Sequence, residues 1–461
     1  MEKMIPSSYD VFDTLIARRF ITNDYTLSMM ESFSKKPNFA AERKVADTGS
    51  RSLYQIYEAL VHKGFITQDE LMTFYKLEVE LEKKHTFPLM HINNVFDGDI
   101  LISDMYLSGA DILELVRNAG CNSQVTIYQS NADKRTGVVW DKLKGFELAD
   151  HTGDNLVSDI ENAQERGFST VQYIDAVNLT GMEKILAKNN LNFMSALVRE
   201  VRLRTPYSKN KELTSVANQL NLPMLLFICE MLHRKYAKKN MVFLGRDCQL
   251  LYKLYNAYYQ TAYYVPFSRK VAYEQPQESV EYLKAHMPPD AVLVDMGSTG
   301  ATWEHLCKLH PFNIEVVVYS DSFFYGDHKP VIPETFSWLA KKTEIKPTNE
   351  VMEVFNCADH GYLDQILNHN GVYFAKFGPH EMDEDDTTDI HYPINMAVET
   401  ASNYGNNISQ ELSKLSEDDL FGTFSELAGL LCIRTETLSF LKGYAVKQHE
   451  YMEKVLNAKN S

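Results

Sequence analysis

The spacing of apolar and polar positions changes character repeatedly along the chain. Residues 8–17 read as a buried strand running into a turn, because a short apolar run is broken by Asp10, Asp13 and Thr14. Over residues 22–87 apolar positions recur every three or four residues among many charges, which predicts helices, for example over 53–63 and 68–84. Asp69 and Glu70 stand near the start of the second, where carboxylates complement the helix dipole. From residue 99 the pattern becomes strand–helix alternation. Strands are predicted over 99–104, 124–130 and 169–174, helices over 108–119, 138–144 and 158–167, and a polar turn over 151–155. Repeated βα units predict a mostly parallel sheet with functional loops at the carboxyl ends of its strands.

Residues 176–210 read as a charged helical bridge that includes Arg199, Arg202 and Arg204. A second α/β region follows, with strands predicted over 241–244, 291–294 and 314–319. Beyond residue 341 the periodicity is mixed, 381–386 reads as an acidic loop, and 408–456 reads as helices. The expected organisation is a core of residues 1–19 and 90–176, a helical insert over 20–89 and a helical linker over 177–214. A second α/β domain over 215–345 and a mixed, then helical, region over 346–461 complete it.

Composition narrows the functional classes. The 461 residues are 44% hydrophobic and 23% charged, which suits globular domains and argues against wholesale disorder. A formal net charge of -16 argues against a general nucleic-acid binder, since duplex binding rests on Lys and Arg neutralising phosphates. The six cysteines are widely spread with no CxxC pair, so they read as reduced thiols in a cytoplasmic protein. No signal peptide is expected, and the most apolar run, residues 222–232, is interrupted by Glu230 and too short to span a bilayer. Oligomeric state is not readable.

Candidate chemistry begins at Asp10, at the end of the first strand. A carboxylate held there can attack phosphorus and form an acyl phosphate, splitting hydrolysis into two easier steps. The displaced charge needs neutralising, and a hydroxyl, a lysine and a magnesium ion can share that work. Ser103 stands at the end of the next core strand, Lys134 in the run Ser130-Asn131-Ala132-Asp133-Lys134-Arg135-Thr136-Gly137, and Asp154 and Asp159 around a glycine turn into a helix. Magnesium favours a few carboxylates with waters and substrate oxygens, which fits Asp10 with that pair.

Residues 8–16, 99–108, 130–140 and 151–163 resemble, in order, the four motifs of the haloacid-dehalogenase (HAD) superfamily, and residues 20–89 resemble its first-position cap. The resemblance covers about residues 5–175. It implies a Rossmannoid parallel sheet with a helical cap that closes over the site and selects a phosphorylated small-molecule substrate. It also implies that Asp10 is the nucleophile, that Ser103 and Lys134 bind phosphate with Thr14 and Asp104 nearby, and that Mg2+ is held by Asp10, the Phe12 backbone carbonyl, Asp154 and Asp159. One position departs from the pattern. Phosphatases of the superfamily carry an acid/base aspartate two residues after the nucleophile; here Phe12 stands there and Asp13 follows. The site is therefore expected to bind phosphate, with a hydrolase, a phosphotransferase or a binding-only protein all open.

The second half carries a weaker constellation. Residues 291–303 form a strand, Asp295, and a small-residue turn of Gly297, Ser298, Thr299 and Gly300 leading to Thr302 in a helix start. Such turns attract phosphate through backbone N–H groups. This stretch resembles the diphosphoribose-binding loop of type I phosphoribosyltransferases, with Met296 in place of the second carboxylate, and the resemblance implies phosphoribosyl or glycosyl transfer in this domain as the alternative activity. Arg246 and Asp247 at one strand end, and Ser268 and Arg269 at another, are further candidates for a phosphate or carboxylate ligand. Together with residues 353–361 they resemble the extension of large bacterial HAD-like proteins linked to glycan synthesis. Asp359, His360 and Asp364 read as a surface turn rather than a metal site.

Overall fold

In the computed structural model the described residues are 5–205, 208, 210–296, 301–317, 349–380 and 382–435. The chain forms two compact units, Met1–Gly181 and Met182–Ser461. Within the helical bridge expected over 177–214, helix Asn192–Arg204 is buried on most of its faces within the second unit.

The first unit is built on five parallel strands: β1 (Ser8–Asp10), β4 (Ile100–Ser103), β5 (Thr126–Gln129), β6 (His151–Gly153) and β7 (Thr170–Gln172), ordered β5-β4-β1-β6-β7. Side chains alternate across a strand, and β4 shows how both faces are covered. Leu101 packs into the cluster that contains Tyr9, Val11 and Leu115, whereas Ile100 and Ile102 join Val139, Trp140 and Leu143 on the other. All four β4 residues are buried, as a strand covered on both faces requires. The chain goes from β1 to one neighbour, β4, and later returns to the other, β6. The order reverses at β1, the place where open parallel sheets gather ligands.

A short antiparallel hairpin, β2 (Ile16–Arg18) with β3 (Thr86–Pro88), leads into and out of the helical insert. The insert holds four helices, α1 (Asp24–Ser34), α2 (Phe39–Ala46), α3 (Leu53–His62) and α4 (Gln68–His85). Helices α3 and α4 start at capping boxes in which Ser52 pairs with Gln55 and Thr67 with Glu70. Its apolar faces, including Leu27, Met30, Phe39, Ile56 and Phe74, join the same buried cluster as Tyr9, Val11 and Leu101. A chain of buried charges runs alongside. Arg18 pairs with Glu82 at 2.8 Å, Tyr106 donates to Glu82 at 2.9 Å, the Arg43 guanidinium lies 4.9 Å from the Tyr106 ring centre, and Arg43 pairs with Glu78 at 2.7 Å. The insert and the sheet thus share one core.

The second unit contains a four-stranded parallel sheet, β8 (Met241–Leu244), β9 (Tyr263–Val265), β10 (Val292–Met296) and β11 (Ile314–Val317), ordered β11-β10-β8-β9. A hairpin, β12 (Leu363–His369) with β13 (Val372–Phe377), lies in the stretch of mixed periodicity. Helix Glu384–Glu399 begins inside the stretch expected as an acidic loop, because Asp383 caps it by accepting from the Asp386 N–H at 2.9 Å. Helices Ala401–Ser413 and Glu417–Thr435 follow, and the rest of the helical stretch expected to 456 lies outside the described residues. The segment Lys211–Tyr236 is long and apolar enough to cross a membrane by length and composition, but 89% of its most apolar window is buried inside the protein. Within it Glu230 is paired with Arg234 at 2.7 Å.

Candidate active site and metal centre

The register of the first sheet brings four distant segments to one edge. Asp10 lies opposite Ile102 in β4 and Ser8 opposite His151 in β6, so Asp10, Ser103 and Asp154 leave adjacent strands at the same end. Ligand oxygens of Asp10, Asp154 and Asp159 lie within 4.8 Å of one another, and among the described residues this is the one such group of acidic, histidine or cysteine side chains. Lys134 completes it: its buried ammonium donates to Asp10 and sits 2.8 Å from Asp159.

Each side chain is held by local structure. Asp159 is 0% exposed and its carboxylate accepts from the Asn155 N–H at 3.0 Å; Nε2 of His151 lies 3.4 Å away. His151 is fixed from behind by Ser8 at 2.9 Å and by the edge of Trp140. Asn155 caps the next turn by accepting from Val157 and Ser158, and residues Leu156–Glu161 form one wide π-helical turn that carries Asp159 back over the strand end. That return needs a glycine. A Cβ on Gly153 would stand 2.5–2.7 Å from the Asp159 side chain.

The electrostatics follow from burial. Desolvation pushes the Asp10 carboxyl well above its ordinary range; Lys134 works against this, and Asp159 and Asp154 add to it. Burial with the Asp159 charge lifts Asp154 to about 6. Burial also penalises ionised Asp159, but Lys134 and His151 outweigh it and hold that carboxyl at about 2. Desolvation lowers His151, favouring neutral imidazole. Three carboxylates face one ammonium, so full ionisation leaves two negative charges in a buried place. A divalent, oxygen-seeking cation such as Mg2+ would remove that excess, and the all-carboxylate donor set suits it.

The other expected residues divide into two sets. Ser103 is buried at the same strand end, where its Oγ accepts from the Met105 N–H at 3.3 Å. Thr14 is fully buried and its hydroxyl has no hydrogen-bond partner among the described residues. Asp13 takes a left-handed backbone conformation with φ 59°, and its charge acts on both Asp154 and Arg18. Phe12 turns into the core, with the Arg18 guanidinium 4.9 Å from its ring centre. Asp104 was expected at the ligand, yet its two oxygens serve the fold: they accept from Ser130 Oγ at 2.6 Å and from the backbone N–H groups of Lys134 and Arg135 at 3.0 Å each.

In the second unit the strand order also reverses, between β8 and β10, and Arg246, Asp247 and Asp295 stand at those strand ends. Their neighbours belong to the protein itself. Arg246 lies 3.4 Å from Asp247 and 3.9 Å from Glu353, and Asp295 accepts from the Trp303 indole at 2.6 Å. Ser268, expected at a ligand, caps helix Arg269–Glu274 and donates to the Leu363 carbonyl at 2.6 Å. Arg269 is exposed, and Thr302 is half-buried in the first turn of helix Ala301–Cys307. Gly297, Ser298, Thr299 and Gly300 lie outside the described residues. Asp359, His360 and Asp364 are engaged by Gln249, Tyr264 and Lys270 respectively, each within 2.8 Å.

Sequence reasoning missed Ser8, His151 and Asn155, which hold Asp159 without touching Asp10. The polar residues flanking Gly153 were the available signal. A scan against protein-family models matches none of them, and a search of the curated proteins also finds no match.

Proposed function

We propose that the first unit is a HAD-like, magnesium-dependent phosphohydrolase acting on a phosphorylated small molecule through an aspartyl-phosphate. The observation that supports this reading is the convergence of Asp10, Lys134, Asp154 and Asp159 from separate segments onto the switch point of a parallel sheet. An excess of buried carboxylate is costly, and such costs concentrate where chemistry needs them.

In this reading the Asp10 carboxylate attacks phosphorus, the ester oxygen leaves, and water then cleaves the acyl phosphate to restore Asp10. Lys134 orients and partly neutralises the transferring group, and Ser103 supplies a hydroxyl beside it. Bound Mg2+ would draw charge from the phosphoryl oxygens and keep Asp10 ionised. Asp10, Asp154 and Asp159 are the residues that would hold it. The insert supplies the wall that selects the substrate. It does so as part of the same core as the sheet, so the proposed selection rests on the shape of a standing wall more than on closure.

Purified protein is assayed for phosphate release from phosphate monoesters, sugar phosphates and nucleotides, with and without Mg2+, beside Asp10→Asn. Release that requires Mg2+ and disappears in Asp10→Asn is expected. Release equal in the variant would remove Asp10 from the reaction, and no release from any member of the panel would count against hydrolysis.

A further inference from the structure

Asp104 is a polar group at the site whose role neither the strand order nor the proposed chemistry accounts for. It stands just beyond β4, and its hydrogen bonds among the described residues run to the segment that carries Lys134. One oxygen accepts from Ser130 Oγ at 2.6 Å and from the Lys134 N–H at 3.0 Å; the other accepts from the Arg135 N–H at 3.0 Å. Ser130 Oγ in turn accepts from the Asp133 N–H at 3.0 Å. The turn Asp133–Thr136 has no side-chain cap of its own at Ala132. Asp104, thirty residues earlier, therefore does that work from another strand end. From the other side, Asn162 donates to the carbonyls of Lys134 and Arg135 at 3.3 and 3.0 Å. The backbone of Lys134 is thus clamped at both ends of its peptide units. A lysine has four rotatable bonds, and a fixed Cα limits where its ammonium can go.

We propose that Asp104 is a positioning residue: by holding the Lys134 and Arg135 amides it sets the Lys134 ammonium between Asp10 and Asp159. Its consequence for turnover rests on the phosphohydrolase reading, whereas the positioning itself does not.

The test therefore has two arms. In the first, the full chain is treated with a limiting amine-acylating reagent, and labelling at each lysine is measured by peptide mass spectrometry. Lys142 and Lys144, exposed and close in sequence, serve as internal references. Asp104→Ala is expected to raise Lys134 labelling about tenfold over those references, the order of effect that follows loss of a hydrogen-bonded cap. Asp104→Asn keeps one acceptor and is expected to fall between Asp104→Ala and the unaltered protein; it also serves if Asp104→Ala does not fold. Unchanged Lys134 labelling in a folded variant overturns the proposal. In the second arm, phosphate release from p-nitrophenyl phosphate with Mg2+ is expected to lose kcat more than KM in Asp104→Asn. A loss confined to stability, with kcat and KM both unchanged, also overturns the role at the site. If the unaltered protein releases no phosphate while Lys134 labelling still responds to Asp104, hydrolysis fails and the positioning stands.

Discussion

The two parallel sheets make a controlled comparison. Each reverses its strand order once, and each places charged residues at the carboxyl ends of the strands that flank the reversal. In the first unit those residues are buried together with like charges facing one another, and one lysine leaves the balance two charges short. In the second, acidic residues meet donors already present: Asp295 meets Trp303, Asp359 meets Gln249 and Lys253, and Asp364 meets Lys270. A strand-end position is therefore a weak sign of chemistry. Charge excess held in place by the surrounding backbone is a much stronger one, because folding alone would select against it.

The comparison breaks most decisively under substitution. Asp10→Asn should lower Mg2+-dependent phosphate release by about 1,000-fold or more, as loss of a covalent nucleophile does. Asp295→Asn should leave the same rate within about twofold, since its carboxylate is satisfied by Trp303. A large effect of Asp295→Asn on that reaction would erase the distinction between the two sheets.

Asp13 sharpens the account within the first site. Its left-handed turn position and its effect on Asp154 put its charge beside the buried acidic cluster, while Phe12 is spent in the core. Asp13→Asn should slow hydrolysis of alkyl phosphates, whose leaving oxygen needs a proton, by about 10- to 100-fold. p-Nitrophenyl phosphate, with its good leaving group, should change by no more than about twofold. Equal losses on both would assign Asp13 to binding.

Stability separates the units on a smaller scale. Gly153→Ala forces a methyl against Asp159 and should cost about 1–3 kcal/mol, measured by hydrogen exchange of the β1 and β6 amides. In the second unit Ser268→Ala should cost about 1 kcal/mol through loss of a helix cap and alter no Mg2+ response. Asp154→Asn should act in the opposite direction. The folded carboxyl sits at about 6, above its ordinary value, so its contribution to stability is present in acid and lost as pH rises through 6. At pH 7 without Mg2+ the variant should therefore be more stable by about 1–2 kcal/mol, the advantage vanishing below about pH 4. The same ionisation makes Mg2+ affinity, followed by calorimetry, fall as pH drops below 6.

What could be read from the chain follows from the kind of signal each feature leaves. Asp10, Lys134, Asp154 and Asp159 were visible because strand-then-polar-turn patterns mark strand ends, and a parallel sheet aligns those ends. β4, β5 and β7 are legible for the same reason, whereas β6 (His151–Gly153) falls where the pattern predicts a polar turn. The β2–β3 hairpin is not legible, since two three-residue strands carry too little periodicity to register. Helical spacing showed that residues 20–89 have an apolar face, but not that this face would meet the sheet in one core. Periodicity tells which side of a helix is buried and is silent on what buries it. Asp104 is a ligand candidate through the family resemblance, and Ser268 through its residue type at a strand end. Their oxygens go to backbone N–H groups and, for Ser268, to a distant carbonyl, partners that only tertiary structure reveals. Ser8 leaves no mark, because a buried polar residue behind a site looks in sequence like any other strand residue.

The central claim is that Asp10 becomes covalently phosphorylated, and trapping that species tests it most directly. The protein is incubated with p-nitrophenyl phosphate and Mg2+, quenched in acid and reduced with borohydride, and the N-terminal peptide is examined by mass spectrometry. An acyl phosphate at Asp10 is predicted to be reduced to homoserine at that position, with no such conversion when Mg2+ is omitted. Turnover that proceeds with Asp10 recovered unmodified would contradict the account.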